Sequence, residues 1–261
     1  MPDCKSIAHS LSEWFSTEQG SYVLAYEQAY FDRTVNDIFG YNALQLGLPE
    51  HVLLRNSRIP LRFNGADQPG AAVRLCGDEL PFACGSLDLV LLPHALEFAE
   101  QPHAILREVE RVLMPEGNVI ISGFNPHSLW GLHRALGRRQ GYPWCGHFIG
   151  LSRLKDWLAL LGFEVVGVCC AVYAPPFQQH KWLTRSQCLE VAGRRWWPGS
   201  GGIYFVHAVK RVPGMRLIKP RWNHGLVKKL LPVAPKMNNK TTQCRSSEVL
   251  NGRKESLKNE Q

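Results

Sequence analysis

No CxxC pair occurs among the eight cysteines, at positions 4, 76, 84, 145, 169, 170, 188 and 244, and that lack removes the usual frameworks for structural zinc. Several of these cysteines sit inside apolar runs, where a free thiol behaves as a small hydrophobe, so disulfides are not expected either. Cys145 and His147 form the one close Cys/His pair, short of the four ligands of a tetrahedral site, and no metal is expected. No run approaches the ~18 apolar residues of a membrane span. The first residues lack the basic start and apolar run of a secretory signal, so a cytoplasmic location is the expectation. Internal repeats are absent, no GxGxxG follows a strand-like run as an NAD dehydrogenase requires, and no GxSxG elbow marks a serine hydrolase.

What is present is a chain of 261 residues, 45% apolar and 20% charged, the balance of a globular protein able to bury a full core. Its formal charge of +8 is unevenly placed: residues 210–261 carry 13 Lys and Arg against 3 Asp and Glu, whereas the rest carries 17 against 19. Basicity is therefore a property of the tail. Residues 212–261, with Pro213, Pro220, Pro232 and Pro235 and no sustained periodicity, read as a basic, largely disordered tail. It is either a solvating appendage or a contact for nucleic acid or an anionic surface, because basic residues there alternate with Leu217, Ile218, Trp222, Leu226, Val227 and Leu230.

Residues 1–40 form an N-terminal helical segment in which Tyr22, Tyr26 and Tyr30 share one face, read as core aromatics packing on the main body. Residues 41–211 alternate strand-like and helical patterns, the mark of an α/β domain with a largely parallel sheet. Strands are expected at Ala43 to Leu46, Ala71 to Cys76, Leu87 to Leu92, Val119 to Ser122, Phe163 to Tyr173 and Ile203 to Lys210. Asp88 opens the third of these and is read as an anchor for neighbouring backbone amides. Pro102 suits a helix start, Ile105, Leu106, Val109 and Val112 recur at helical spacing, and Met114-Pro-Glu-Gly117 ends the run. Ser152 reads as the N-cap of a helix carrying Leu154, Trp157, Leu158 and Leu161, with Gly162 at its end. Residues 47–70 are too few for two ordinary βαβ crossovers, and His51 to Arg55 with Ile59 to Phe63 read as a short hairpin. Lys210 and Arg211 read as protection of an edge strand.

The stretch from Cys76-Gly-Asp-Glu-Leu-Pro-Phe through Leu87-Asp-Leu-Val90, followed by Leu106-Arg-Glu-Val to Met114-Pro-Glu-Gly-Asn-Val-Ile-Ile-Ser122, resembles the class I S-adenosylmethionine-dependent methyltransferases, type 11 group. The resemblance implies a Rossmann-like seven-stranded sheet in the order 3-2-1-4-5-7-6, its last strand antiparallel and helices on both faces, here shortened between strands 1 and 3. It implies S-adenosyl-L-methionine as cofactor and methyl transfer to an unidentified acceptor. By the same resemblance Asp78 accepts from the adenine amine, with Glu79 and Leu80 beside the ring, and Gly47, Gly77 and Pro93 belong to the cofactor site. His94 and then His127 are the candidate bases for an acceptor that must lose a proton, since imidazole titrates near neutrality. Asn125 and Pro126 would shape the acceptor pocket, and Trp144, Phe148, Trp196 and Trp197 are candidates to line it.

The sequence also departs from the family. The family's glycine-rich turn after the first strand keeps one glycine here, in Leu46-Gly47-Leu-Pro-Glu50. The acid that usually holds the ribose has only Glu50 and Asp67 as candidates. Two alternatives follow: a catalytically inactive scaffold for a protein partner, or a nucleic-acid-associated protein tethered by its tail.

Overall fold

The computed structural model describes residues 11–66, 73–136, 141–176 and 187–212. After a helical turn at 11–15, helix α1 runs over Glu18–Val35, started by Thr17, whose hydroxyl accepts the Gly20 amide at 3.1 Å. There follow β1 (Asn42–Leu46), β2 (Leu61–Ala66), β3 (Val73–Arg74) and β4 (Leu87–Pro93). Helix α2 (Pro102–Val112) then precedes β5 (Leu113–Phe124), α3 (Leu129–Leu136), α4 (Leu151–Leu160), β6 (Phe163–Ala171), α5 (Gln187–Trp196) and β7 (Ile203–Lys210). None of the helices of the described residues is long and apolar enough to cross a membrane.

The strands form one sheet in the order β3-β2-β1-β4-β5-β7-β6, with β7 antiparallel to both β5 and β6 and the other pairs parallel. This is the expected topology. β4 is buried along its whole length, so successive residues feed opposite faces. Val90 and Leu92 join Leu44, Leu46, Val119 and Ile121 under Ile105, Leu106 and Val109 of α2 and Leu154 and Leu158 of α4. Leu89 and Leu91 join Ala43, Ile120 and Phe205 under Val23, Phe31 and Val35 of α1. Asp88 anchors the sheet's lower edge as expected, its Oδ2 accepting the amides of Tyr41 and Asn42 at 2.8 and 2.9 Å.

Three local expectations are corrected. The hairpin within residues 51–63 does not form: residues 49–56 turn without pairing, and Leu61–Ala66 is β2, lying parallel to β1 from Asn42↔Leu61 to Leu46↔Gly65. Helix α4 begins one residue before Ser152, with Gly150 as N-cap and no side-chain cap, while Gly162 closes it in the left-handed region at φ +79°. Strand β7 lies between β5 and β6 and is not an edge. In α1 the three tyrosines pack against the core as expected, half-buried beside the central face of Gln19, Val23, Glu27, Phe31 and Val35. The basic tail, from Pro213 on, lies outside the described residues.

Candidate active site

In an open sheet of this kind ligands bind beyond the carboxyl ends of the strands where the strand order reverses, which here is between β1 and β4. The turn leaving β1 is left-handed twice, at Gly47 (φ +103°) and Leu48 (φ +48°), and the Gly47 amide donates to the Gly65 carbonyl at 2.9 Å. A β-carbon on Gly47 would lie 3.3 Å from the Pro93 carbonyl, so this turn presses on the end of β4. With no helix following, one side chain organises the loop. Buried Gln45 sends Nε2 to the carbonyls of His51 (2.7 Å), Gly47 and Leu48 (3.1 Å each), and its Oε1 accepts the Leu53 amide at 3.0 Å. Glu50, at the rim of this loop, accepts from the Ser12 hydroxyl.

The second wall is the turn after β3, closed by the bridge between Cys76 and Glu79. Asp78 stands exposed at its tip. The backbone on either side is already committed: Glu79 donates to the Cys76 carbonyl at 3.3 Å, and Leu80 donates to Glu108 Oε2 at 3.0 Å. Arg111 holds the carbonyls of Leu80 and Phe82, both at 2.9 Å, and its hydrogen bond to Glu108 keeps that carboxyl below its ordinary range. Gly77 answers to packing, since a β-carbon there would sit 3.1 Å from Ile105 Cδ1 on α2.

The third wall is the end of β4. Pro93 is buried, and His94 follows it in the left-handed region at φ +50° with its side chain wholly enclosed. Its Nδ1 lies 2.8 Å from Glu97 Oε2 and its Nε2 lies 2.6 Å from Glu27 Oε1, the latter in the middle of α1. Glu97 Oε1 accepts the Phe124 amide at the end of β5. Burial works against charge on the ring, but the two flanking carboxylates outweigh it and push the His94 pKa up to about 10. Glu97 is pushed up by its own burial, with the imidazolium opposing that shift. Both ring nitrogens thus face carboxyl oxygens, and the three side chains form a buried Glu–His–Glu triad. The expectation of His94 as a free base is corrected by this geometry: no lone pair is open to an acceptor.

His127 sits on the turn after β5 with an exposed ring, its backbone amide given to Asn125 Oδ1 at 3.0 Å. Asn125 is not available to an acceptor, because its Nδ2 binds the carbonyls of Gly199 and Gly201 at 2.8 and 3.0 Å and ties the β5 exit to the loop before β7. Trp144 and Phe148 do join an aromatic group around Phe124 and Trp130, with Trp14 packing edge-on. Trp196 and Trp197 are exposed and pack on each other.

Gln19, Glu27, Gln45 and Glu97 were not singled out from the sequence, although for the first two a signal was there: both interrupt the otherwise apolar face of α1 at i and i+8. Gln19 Nε2, Glu27 Oε2 and His51 Nε2 are buried with no hydrogen-bond partner among the described residues. The Phe15 ring lies between the two turns, 5.8 Å from the ring of His51 and 5.9 Å from that of His94. Unmet polar atoms are rare in protein interiors, and two of these stand at the strand ends, Glu27 beside His94 after β4 and His51 in the loop after β1. Among the described residues no group of His, Cys, Asp and Glu could hold a metal ion.

Comparison with known proteins agrees with this geometry. Residues 61–121, which span β2 to β5, match the family model described as a methyltransferase domain. The uncharacterised protein YafS of Escherichia coli strain K12 is 37% identical over 133 residues, covering 49% of this chain and 55% of that protein. The chain thus spans about half the length of that curated relative. Among solved structures, an S-adenosylmethionine-dependent methyltransferase from Thermotoga maritima superposes with a TM-score of 0.52 at 15% identity, covering 73% of this chain and 97% of the other. One from Archaeoglobus fulgidus gives 0.50 at 18% identity, covering 73% and 95%. Sequence match and sheet order point the same way: residues 61–121 are similar to a methyltransferase domain, and the sheet has the Rossmann-like fold of these solved methyltransferases.

Proposed function

We propose that the chain is an S-adenosylmethionine-dependent methyltransferase whose cofactor lies across the ends of β1 and β4. One observation carries this reading. At the point where the strand order reverses, two left-handed turns meet, and beside them Glu27 and His51 each bury a polar atom without a partner among the described residues. When bound, the cofactor supplies an activated methyl group, so the chain's own task is alignment and exclusion of water. Asp78, exposed at the tip of its turn, accepts from the adenine amine; Glu79 and Leu80, their amides already used, contribute position. Asp67, which lies outside the described residues, follows the last residue of β2 in the sequence and is our choice for the ribose hydroxyls over Glu50. His127, its ring exposed, takes a proton where the acceptor has one to lose.

A second reading, a catalytically inactive scaffold, draws on the occupied amides of Glu79 and Leu80 and the single glycine after β1. Calorimetric titration with S-adenosylmethionine and S-adenosylhomocysteine separates the two. The methyltransferase reading expects micromolar binding, weakened about tenfold or more in Asp78→Ala by loss of a charge-assisted hydrogen bond. No binding at millimolar ligand by the folded protein overturns it in favour of the scaffold.

A further inference from the structure

The Glu27–His94–Glu97 triad carries one more negative than positive charge when both carboxylates are ionised, and none of it faces water: the three side chains are 0%, 0% and 1% exposed. Glu97 spends both oxygens, one on His94 and one on the Phe124 amide. Glu27 spends one; its Oε2 is buried and unpartnered, and among the described residues no Lys or Arg lies within ion-pair distance of either carboxylate. A buried charge without a counterpart is costly. The surroundings are aromatic, with Phe15 and Phe124 packed on the His94 ring at 5.9 and 4.4 Å. A carboxylate oxygen and aromatic faces together suit a poorly hydrated cation.

We infer that Glu27 is a specificity-determining residue: its free oxygen, set beside the aromatic faces around His94, favours a cationic onium group at the end of β4, and the occupant is the cofactor's sulfonium. The inference rests on the methyltransferase reading and deepens it. It makes the pocket a discriminator between S-adenosylmethionine, which carries the charge, and S-adenosylhomocysteine, which has lost it with the methyl group. Helix α1 then has two tasks, covering one face of the sheet and supplying the counter-charge.

Calorimetric titration of the full chain with these two ligands reads the effect as a ratio of dissociation constants. Glu27→Gln keeps an acceptor oxygen for His94 and removes the charge; Glu97→Gln removes the charge at the triad's other end but keeps an acceptor for only one of His94 and the Phe124 amide. Either variant is expected to shift the ratio against the sulfonium by about tenfold or more. Thermal melting shows which variants fold. If both ligands bind the wild type and a folded variant keeps the wild-type ratio within about twofold, the inference is overturned while the methyltransferase reading stands. If neither ligand binds the folded wild type, that reading fails and the inference with it. Should neither variant fold, the wild type decides with sinefungin, the analogue bearing a protonated amine in place of the methylated sulfur: it must bind about tenfold tighter than S-adenosylhomocysteine, and equal or weaker binding overturns the inference.

Discussion

The exits of β1 and β4 lie side by side at the middle of the sheet, and both turn through the left-handed region, yet they are held by opposite chemistry. At β1 the turn opens on a glycine, and a neutral side chain from within the strand, Gln45, satisfies the loop's carbonyls. At β4 the turn is made by a histidine, for which a positive φ costs on the order of 1–2 kcal/mol, and charged partners hold it there. The neutral device is local, acting within eight residues. The charged one reaches 67 residues back to α1 and across to β5, so it couples the helix that covers the site to the strand ends that shape it. Stability at the first exit comes from meeting backbone hydrogen bonds; at the second it depends on protonation.

The largest expected effect is on the charged exit. His94→Gln leaves two carboxylates facing each other without their cation and should cost about 4 kcal/mol in denaturant unfolding at neutral pH. The pH dependence has a definite sign. Because the folded-state pKa of His94 is raised from 6.5 to about 10, its contribution is whole below pH ~6.5 and is lost as the pH rises through about 10. Glu97, also raised, acts in the same direction at lower pH, its contribution falling as pH rises above its unfolded value. The gap between wild type and His94→Gln should therefore narrow from pH ~7 to ~10, and a gap that stays constant would deny the triad its charge. The neutral exit should respond less and without pH dependence. Gln45→Leu leaves the Leu53 amide and up to three carbonyls without that partner, and should cost about 3 kcal/mol by the same unfolding measurement.

The same contrast marks what the sequence could disclose. β4, α2 and β7 were legible because their patterns are local: a doubly buried apolar run, a helical repeat behind a proline, and a second largely apolar run. Ile59 to Phe63 looked like half of a hairpin because its partner is β1, in parallel, and no local signal distinguishes that pairing. Gln45 was hidden inside an apolar run, and what it does depends on the loop folding back over it. His94 was singled out as a candidate base; Glu97, three residues on in the same turn, was within reach of spacing, but Glu27 comes from α1, 67 residues earlier, so the whole triad could not be read from the sequence. Asn125 was misread for the same reason, its partners Gly199 and Gly201 being more than seventy residues away.

The central claim is that the ends of β1 and β4, with the turn after β3, form one cofactor site. Hydrogen–deuterium exchange of the full chain, with and without saturating S-adenosylhomocysteine, tests it most directly. The account predicts slowed exchange within residues 47–54, 76–80 and 93–97, with α4 and β6 unchanged. Binding accompanied by protection confined to α4 and β6, or by none in those three segments, would contradict it.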